Sequence, residues 1–162
     1  MAVFYLDTSA LTKLYRTEVG AEVRIQLLRG DSPGDRCYIS FFVNLELTSA
    51  ILRLVKGGQL EDVAAGAILT MFERDATALI RVWPLNDEIA ETAVSVVERF
   101  HLKSGDAINL ATALTLKGRE PDASLVMVSA DRELLEASAD VGLQTLNPQA
   151  ANASQQLSDL RD

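Results

Sequence analysis

An α/β fold, with a parallel sheet covered by helices on both faces, is what this sequence predicts, and three observations predict it. Apolar runs of four to six residues alternate with longer helical patterns along nearly the whole chain, and strands separated by helices need the crossovers of a parallel sheet. The first run, residues 2–6 (Ala-Val-Phe-Tyr-Leu), is continuously apolar and rich in β-formers, the composition of a strand buried on both faces. The chain has 162 residues, 48% of them hydrophobic, the length of one domain that buries about 70% of its unfolded surface.

The first strand stops at Asp7, and Thr8 and Ser9 open a helical pattern through Leu11, Leu14 and Tyr15. A second helix is expected over 19–28, closed by the turn chemistry of Gly30-Asp31-Ser32-Pro33-Gly34, and a second strand over 36–40. Residues 40–55 are too long for a strand and apolar nearly all round, with only Glu46 and Arg53 charged, which describes a helix packed on several sides. Gly57-Gly58 ends it. The next helix is expected over 60–75, with Val63, Ala67, Ile68 and Met71 apolar, and a strand over 79–83 is stopped by Pro84. Asn86 or Asp87 caps a helix whose inner face carries Ile89, Ala93, Val96, Val97 and Phe100. A helix over 104–116, a strand over 125–128, a helix over 132–139 and a short strand over 143–146 complete a five-stranded sheet. Residues 1–146 therefore read as the domain, and 147–162, polar and poor in anchors, as a tail expected to fray.

The chain carries 23 acids against 15 bases, a formal charge of −8. That balance argues against coating duplex DNA, which rests on many Lys and Arg contacts to phosphate. It leaves local phosphate chemistry open. No apolar run approaches the ~20 residues that cross a bilayer, and Asp7 stands where a signal peptide would be apolar, so the expected location is the cytoplasm with no membrane partner. One cysteine, Cys37, and one histidine, His101, exclude a disulfide framework and any Cys/His zinc site. Catalysis must come mostly from carboxylates and hydroxyls.

Open parallel sheets build their sites at the carboxyl ends of strands. That rule singles out Asp7, after the first strand, and Asp131, which follows 125–128 beyond the small residues Ser129 and Ala130. Asp106 opens a helix in which only it and Lys117 are charged up to residue 117, and Glu46 lies inside the apolar helix 40–55. Asp is a favoured helix N-cap, worth about 1 kcal/mol, and capping accounts for Asp7, Asp106 or Asp131 taken singly as well as function does. It does not account for Glu46, whose ionised carboxylate needs a cation or several donors; Arg53, about two turns on, offers a structural pairing. Gathered acids raise one another's pKa unless a divalent cation holds them ionised. Oxygen ligands suit Mg²⁺ or Mn²⁺, and such an ion activates water at a phosphodiester. The reaction class that follows is metal-assisted phosphodiester hydrolysis.

The segments Leu6-Asp7-Thr8-Ser9-Ala10-Leu11, Asn44-Leu45-Glu46-Leu47, Gly105-Asp106-Ala107-Ile108-Asn109-Leu110-Ala111-Thr112-Ala113 and Val128-Ser129-Ala130-Asp131 resemble the four-acid pattern of PIN-domain nucleases, in detail the VapC-type toxins of toxin–antitoxin pairs. The resemblance covers about residues 3–146. It implies a three-layer α/β/α sandwich with a parallel five-stranded sheet, and an endoribonuclease that uses Mg²⁺ or Mn²⁺, a metal-activated water being the attacking group. Asp7, Glu46 and Asp106 correspond by position to the metal-binding catalytic core and Asp131 to its more variable fourth acid. Ser9 corresponds to a small polar residue that hydrogen-bonds in the site, and Ser129 stands where Thr is commoner, keeping the hydroxyl. The resemblance also implies an RNA substrate, a homodimer, and a small antitoxin whose tail blocks the acidic groove.

Lys13, Arg16, Lys103 and Arg132 lie close in sequence to the acids and are candidates for RNA phosphate contacts, against the alternative of an ordinary solvated face. His101 ends a helix, a placement that explains it; Cys37 reads as a small buried hydrophobe; Trp83 reads as packing, or as a base-stacking ring if exposed. Helices 40–55 and 60–75 carry more apolar surface than a sheet face needs, and part of it is expected to meet an antitoxin helix or a second subunit. Other functions compete. A strand ending in Asp also opens the aspartyl phosphatases, which want a second acid two residues on, where this chain has Ser9. A non-catalytic module would hold a structural cation without turnover, and a solitary nuclease of the same fold would lack the antitoxin.

Overall fold

The structure, a computed structural model, describes residues 2–16, 18–29 and 34–161, the side chains of 18–21 and 29 excepted. Five parallel strands, β1 (Ala2–Leu6), β2 (Arg36–Ser40), β3 (Ile80–Trp83), β4 (Ser124–Val128) and β5 (Gln144–Leu146), form one sheet in the order β3-β2-β1-β4-β5. Central β1 is buried on both faces: Phe4 and Leu6 join one helical layer, Val3 and Tyr5 the other. No polar alternation survives in such a strand. The first layer holds α1 (Thr8–Arg16), α2 (Glu18–Arg29), α3 (Phe41–Lys56) and α4 (Asp62–Ala78), and the second holds α5 (Asp87–Phe100), α6 (Ser104–Arg119) and α7 (Arg132–Asp140). The three-layer α/β/α sandwich expected from the sequence is what the chain forms. No helix among the described residues is long and apolar enough to cross a membrane.

The chain steps outward from β1 through β2 to β3, then returns to lay β4 on the other side of β1. Adjacent strands whose following connections leave in opposite directions open a crevice at their carboxyl ends. Here that switch point lies between β1 and β4, where Asp7 and Ser129 follow their strands.

Two helices run three residues beyond their expected ends. α4 continues past Asp75 to Ala78, because Asp75 is no stop signal: it is buried, accepts a 2.8 Å hydrogen bond from the Tyr15 hydroxyl and lies 3.7 Å from Arg74. α6 runs to Arg119 rather than Leu116. The turn expected over 30–34 falls, except for Gly34, outside the described residues.

The segment expected to fray is instead packed. Residues 153–159 form α8 (Ala153–Asp159), whose Ala153 and Leu157, one turn apart, enter the same core as Val23 and Leu27 of α2. Arg161 then locks it. Its Nε lies 2.7 Å from Asp35 Oδ2, its Nη2 donates to the Gln26 carbonyl at 2.7 Å, and its guanidinium lies over the Phe4 ring at 5.6 Å. Asp35 also accepts from the Ala2 amide at 3.0 Å. With the two side chains only 15% and 10% exposed, Arg161→Ala leaves a largely desolvated carboxylate that keeps the Ala2 amide as a donor. The expected cost is about 2 kcal/mol, below the loss for a fully buried pair, or a fall of about 4–8 °C in melting temperature. An unchanged melting curve would reduce the pair to a surface contact.

Candidate active site

Asp7 leaves β1 at the switch point and is 2% exposed. Its backbone N–H completes the sheet by donating to Val128 O at 3.1 Å, and its side chain caps α1 by accepting from the Ala10 N–H at 2.7 Å. Two hydroxyls complete the shell. Ser9 Oγ lies 2.9 and 2.8 Å from the two carboxylate oxygens, and Ser129 Oγ donates to Oδ2 at 2.9 Å. The hydroxyls are themselves fixed, since the Ala130 N–H donates to Ser9 Oγ at 2.8 Å and the Asp131 N–H to Ser129 Oγ at 2.9 Å. Burial outweighs these donors and lifts the Asp7 carboxyl from 3.8 to about 6.

Glu46 reaches the same edge from α3, which starts at the end of β2 with Ser40 accepting from the Val43 N–H at 3.2 Å. Its Oε2 accepts a 2.6 Å hydrogen bond from Thr8 Oγ1, and among the described residues it forms no ion pair with Arg53. Its Oε1 lies so close to the start of α6 that a Cβ on Gly105 would meet it at 2.8 Å and Phe42 at 3.2 Å. Asp106, the next residue, is half-buried. Its carboxyl is pushed up to about 6, by desolvation first and then by the charges of Asp131 and Glu46, with Lys103 opposing. Asp131 caps α7, accepting from the Leu134 N–H at 3.0 Å, and still acts on Asp106 across the crevice. Asn109, one turn beyond Asp106, is buried and accepts from Tyr5 Oη at 2.8 Å, pinning α6 to β1.

The acids therefore share one rim. Asp7 and Asp131 stand beside the paired ends of β1 and β4, and the charges of Glu46 and Asp131 both reach Asp106. Among the described residues no three His, Cys, Asp or Glu side chains stand close enough together to hold one ion. A hard cation that keeps most of its waters needs only one or two carboxylates, and this all-oxygen donor set fits Mg²⁺ or Mn²⁺ on that basis.

Of the basic residues singled out by sequence, Lys103 acts on Asp106, and Arg132 pairs with Glu136 at 3.2 Å. Lys13 and Arg16 are exposed on α1, with Arg16 about 12 Å along the helix from Thr8. Cys37 is buried and its thiol pushed up to about 12, which makes it inert. Trp83 packs edge-on against Tyr38 at 6.0 Å. Sequence reasoning missed Thr8 and Gly105. Both adjoin an acid in the quoted motifs, but their roles depend on α3 crossing the starts of α1 and α6.

A doubly wound α/β/α sheet with carboxylates along its switch-point rim defines an acid-site α/β domain. The family model of the PIN domain matches residues 4–139, and the chain belongs to the PIN domain family. Among curated proteins, none matches it. Solved structures do. PAE2754 from Pyrobaculum aerophilum is 20% identical with a TM-score of 0.64, covering 98% of this chain and 95% of that one. FitAcB from Neisseria gonorrhoeae is 18% identical at 0.62, over 90% and 97% of the two chains. VapBC-1 from nontypeable Haemophilus influenzae is 21% identical at 0.58, over 91% and 99%. At this identity the likeness is one of fold.

Proposed function

We propose that the chain is a divalent-metal-dependent endoribonuclease, hydrolysing RNA phosphodiester bonds by attack of water, and the toxin of a toxin–antitoxin pair. The observation that carries this reading is the acid rim itself: desolvation and then the charges of Asp131 and Glu46 lift Asp106 to about 6, and Asp7, lifted to about 6 by burial, ends β1 beside the end of β4 that Asp131 follows. Such a rim gains by accepting a hard cation. Asp7, Glu46, Asp106 and Asp131 are the candidate ligands for Mg²⁺ or Mn²⁺, one or two of them holding the ion directly and the others through its waters. When bound, the ion supplies Lewis acidity and a water acidic enough to attack near neutral pH.

The chain's own residues do the rest. Ser9, Ser129 and the Ala10 amide fix Asp7, and Thr8 fixes Glu46, so the carboxylates are aimed before substrate arrives. Lys103 places a cation beside Asp106 where an RNA phosphate would lie. The same hydrogen bonds weigh against the aspartyl-phosphatase alternative, because both Asp7 oxygens are already engaged.

Phe41, Leu45 and Leu52 on α3 and Val63 on α4 are exposed, which supports an antitoxin partner. The apolar groove lined by Ala93, Val94, Val97 and Ala107 supports pairing of two copies. A toxin–antitoxin complex from Klebsiella pneumoniae is similar in fold. The deciding experiment is digestion of single-stranded RNA by the purified chain with Mg²⁺ or Mn²⁺, stopped by EDTA, with Asp7→Asn beside it. Metal binding without cleavage would favour the non-catalytic module. Growth rescue by the product of an adjacent small gene would establish the toxin role.

Gly105 offers an independent check. Because the crowding atoms at its Cβ position are the tip of Glu46 and the Phe42 ring, Gly105→Ala is expected to displace Glu46 rather than unfold the chain. Cleavage should fall about 10- to 100-fold, with the circular dichroism spectrum unchanged. Full activity would remove Glu46 from the reacting set.

A further inference from the structure

A cavity of about 620 Å³ lies between the end of α5 and the face of α7, with buried Leu102 and Ala137 at its base and Phe100, His101 and Glu133 among its walls. That volume falls in the range of small-ligand sites. The cavity adjoins the acid rim: the charge of Glu133 reaches Asp106, and Lys103, which also reaches Asp106, directly follows Leu102. Two further acids on the α7 face are engaged, Glu136 with Arg132 at 3.2 Å and Asp140 with Arg99 at 3.0 Å. His101 and Glu133 differ from them, since among the described residues their side chains make no hydrogen bond or ion pair.

The charges decide what could enter. No three potential ligands among the described residues stand close enough to hold a metal ion, and with Arg132 and Arg99 engaged by Glu136 and Asp140, the carboxylate of Glu133 repels a phosphate. A neutral, planar group carrying N–H donors suits the walls. Arg99 lies over the Phe100 ring at 4.7 Å, a flat platform of the kind on which unstacked bases lie. His101 adopts φ 56°, the left-handed conformation in which helix ends ordinarily place glycine.

We propose that this cavity seats the base of a nucleotide beside the scissile phosphate and prefers guanine, with Glu133 reading its edge, His101 contacting it and the Arg99–Phe100 stack supporting its face. A carboxylate accepts two adjacent N–H groups from guanine. Uracil offers one N–H between two carbonyls that a carboxylate repels. The inference rests on the ribonuclease reading for its substrate, but its test needs no cleavage.

Fluorescence anisotropy of the full-length Asp106→Asn protein in Mg²⁺ compares labelled hexauridylate with the same strand carrying one guanosine. The guanosine is expected to tighten binding about tenfold, as a bidentate base contact does. Adding Glu133→Ala should return the ratio of the two affinities to about one, and Glu133→Gln, which keeps one acceptor, should retain part of it. No gain from the guanosine, at whatever overall affinity, overturns the proposal, and so does a gain that survives Glu133→Ala. A guanosine preference in a wild-type chain that cuts no RNA upholds the cavity and removes the nuclease reading, so the two fail separately.

Discussion

The Asp106→Asn protein is expected to lose metal-dependent RNA cleavage by about a thousandfold or more, the several kcal/mol that a divalent cation contributes to such a reaction, while its melting temperature holds or rises. Asp106 makes no capping hydrogen bond, lies in the first turn of α6, and has its charge opposed by Asp131 and Glu46. Neutralising it forfeits a favourable helix-dipole contact of about 0.5 kcal/mol and relieves that repulsion. A purely structural acid would behave otherwise. Asp131 is the internal comparison, because it caps α7 through the Leu134 N–H, and Asp131→Ala should cost about 1 kcal/mol of stability in addition to any loss of activity. Labelled RNA resolved on a gel, in Mg²⁺ or Mn²⁺ with an EDTA control, reads the activity; thermal melting reads the stability. Wild-type cleavage by Asp106→Asn would take that residue out of the metal set, and with it the acid rim as the reacting centre.

The residues that sequence alone could place are those whose role is set by the element they terminate. Asp7 and Asp131 follow buried strands, and the apolar continuity of β1 marks it as central before any partner strand is known. Glu46 is legible as an acid in need of a partner, yet helical spacing offers Arg53, whereas the structure supplies Thr8, 38 residues earlier. Only the crossing of α3 over the start of α1 decides between them, and crossing angles are not written in local periodicity. The approach of Gly105 to Glu46 has the same origin. In the tail, the one-turn spacing of Ala153 and Leu157 is a real but short signal among Gln, Asn and Ser. The contact that anchors it, Arg161 with Asp35, spans 126 residues. Asp75 is the converse case: a charge that reads as a helix end becomes an interior residue once Tyr15 supplies a donor.

Stability against pH gives the second large effect, and its sign follows from Asp7. The folded-state value of about 6 lies above the ordinary 3.8, so between those values the folded chain binds more protons than the unfolded one. The contribution of Asp7 to stability is therefore greatest below about pH 4, declines as pH rises to about 6, and is flat beyond. At 2% exposure no solvent screening reduces it, and the shift corresponds to about 3 kcal/mol. Asp7→Asn removes the titration. The melting-temperature difference between variant and wild type, followed in EDTA from pH 4 to pH 8, should change by about 6–12 °C in favour of the variant across that window. Mg²⁺ or Mn²⁺ stabilises only the chain that binds it, and it binds the ionised carboxylates, so its effect should grow through the same pH range in wild type and shrink in the variant. A difference independent of pH, or a metal effect that the variant keeps in full, would mean that Asp7 is neither desolvated as an anion nor held to the ion, and that the lifted carboxyl at the end of β1 has only its helix to cap.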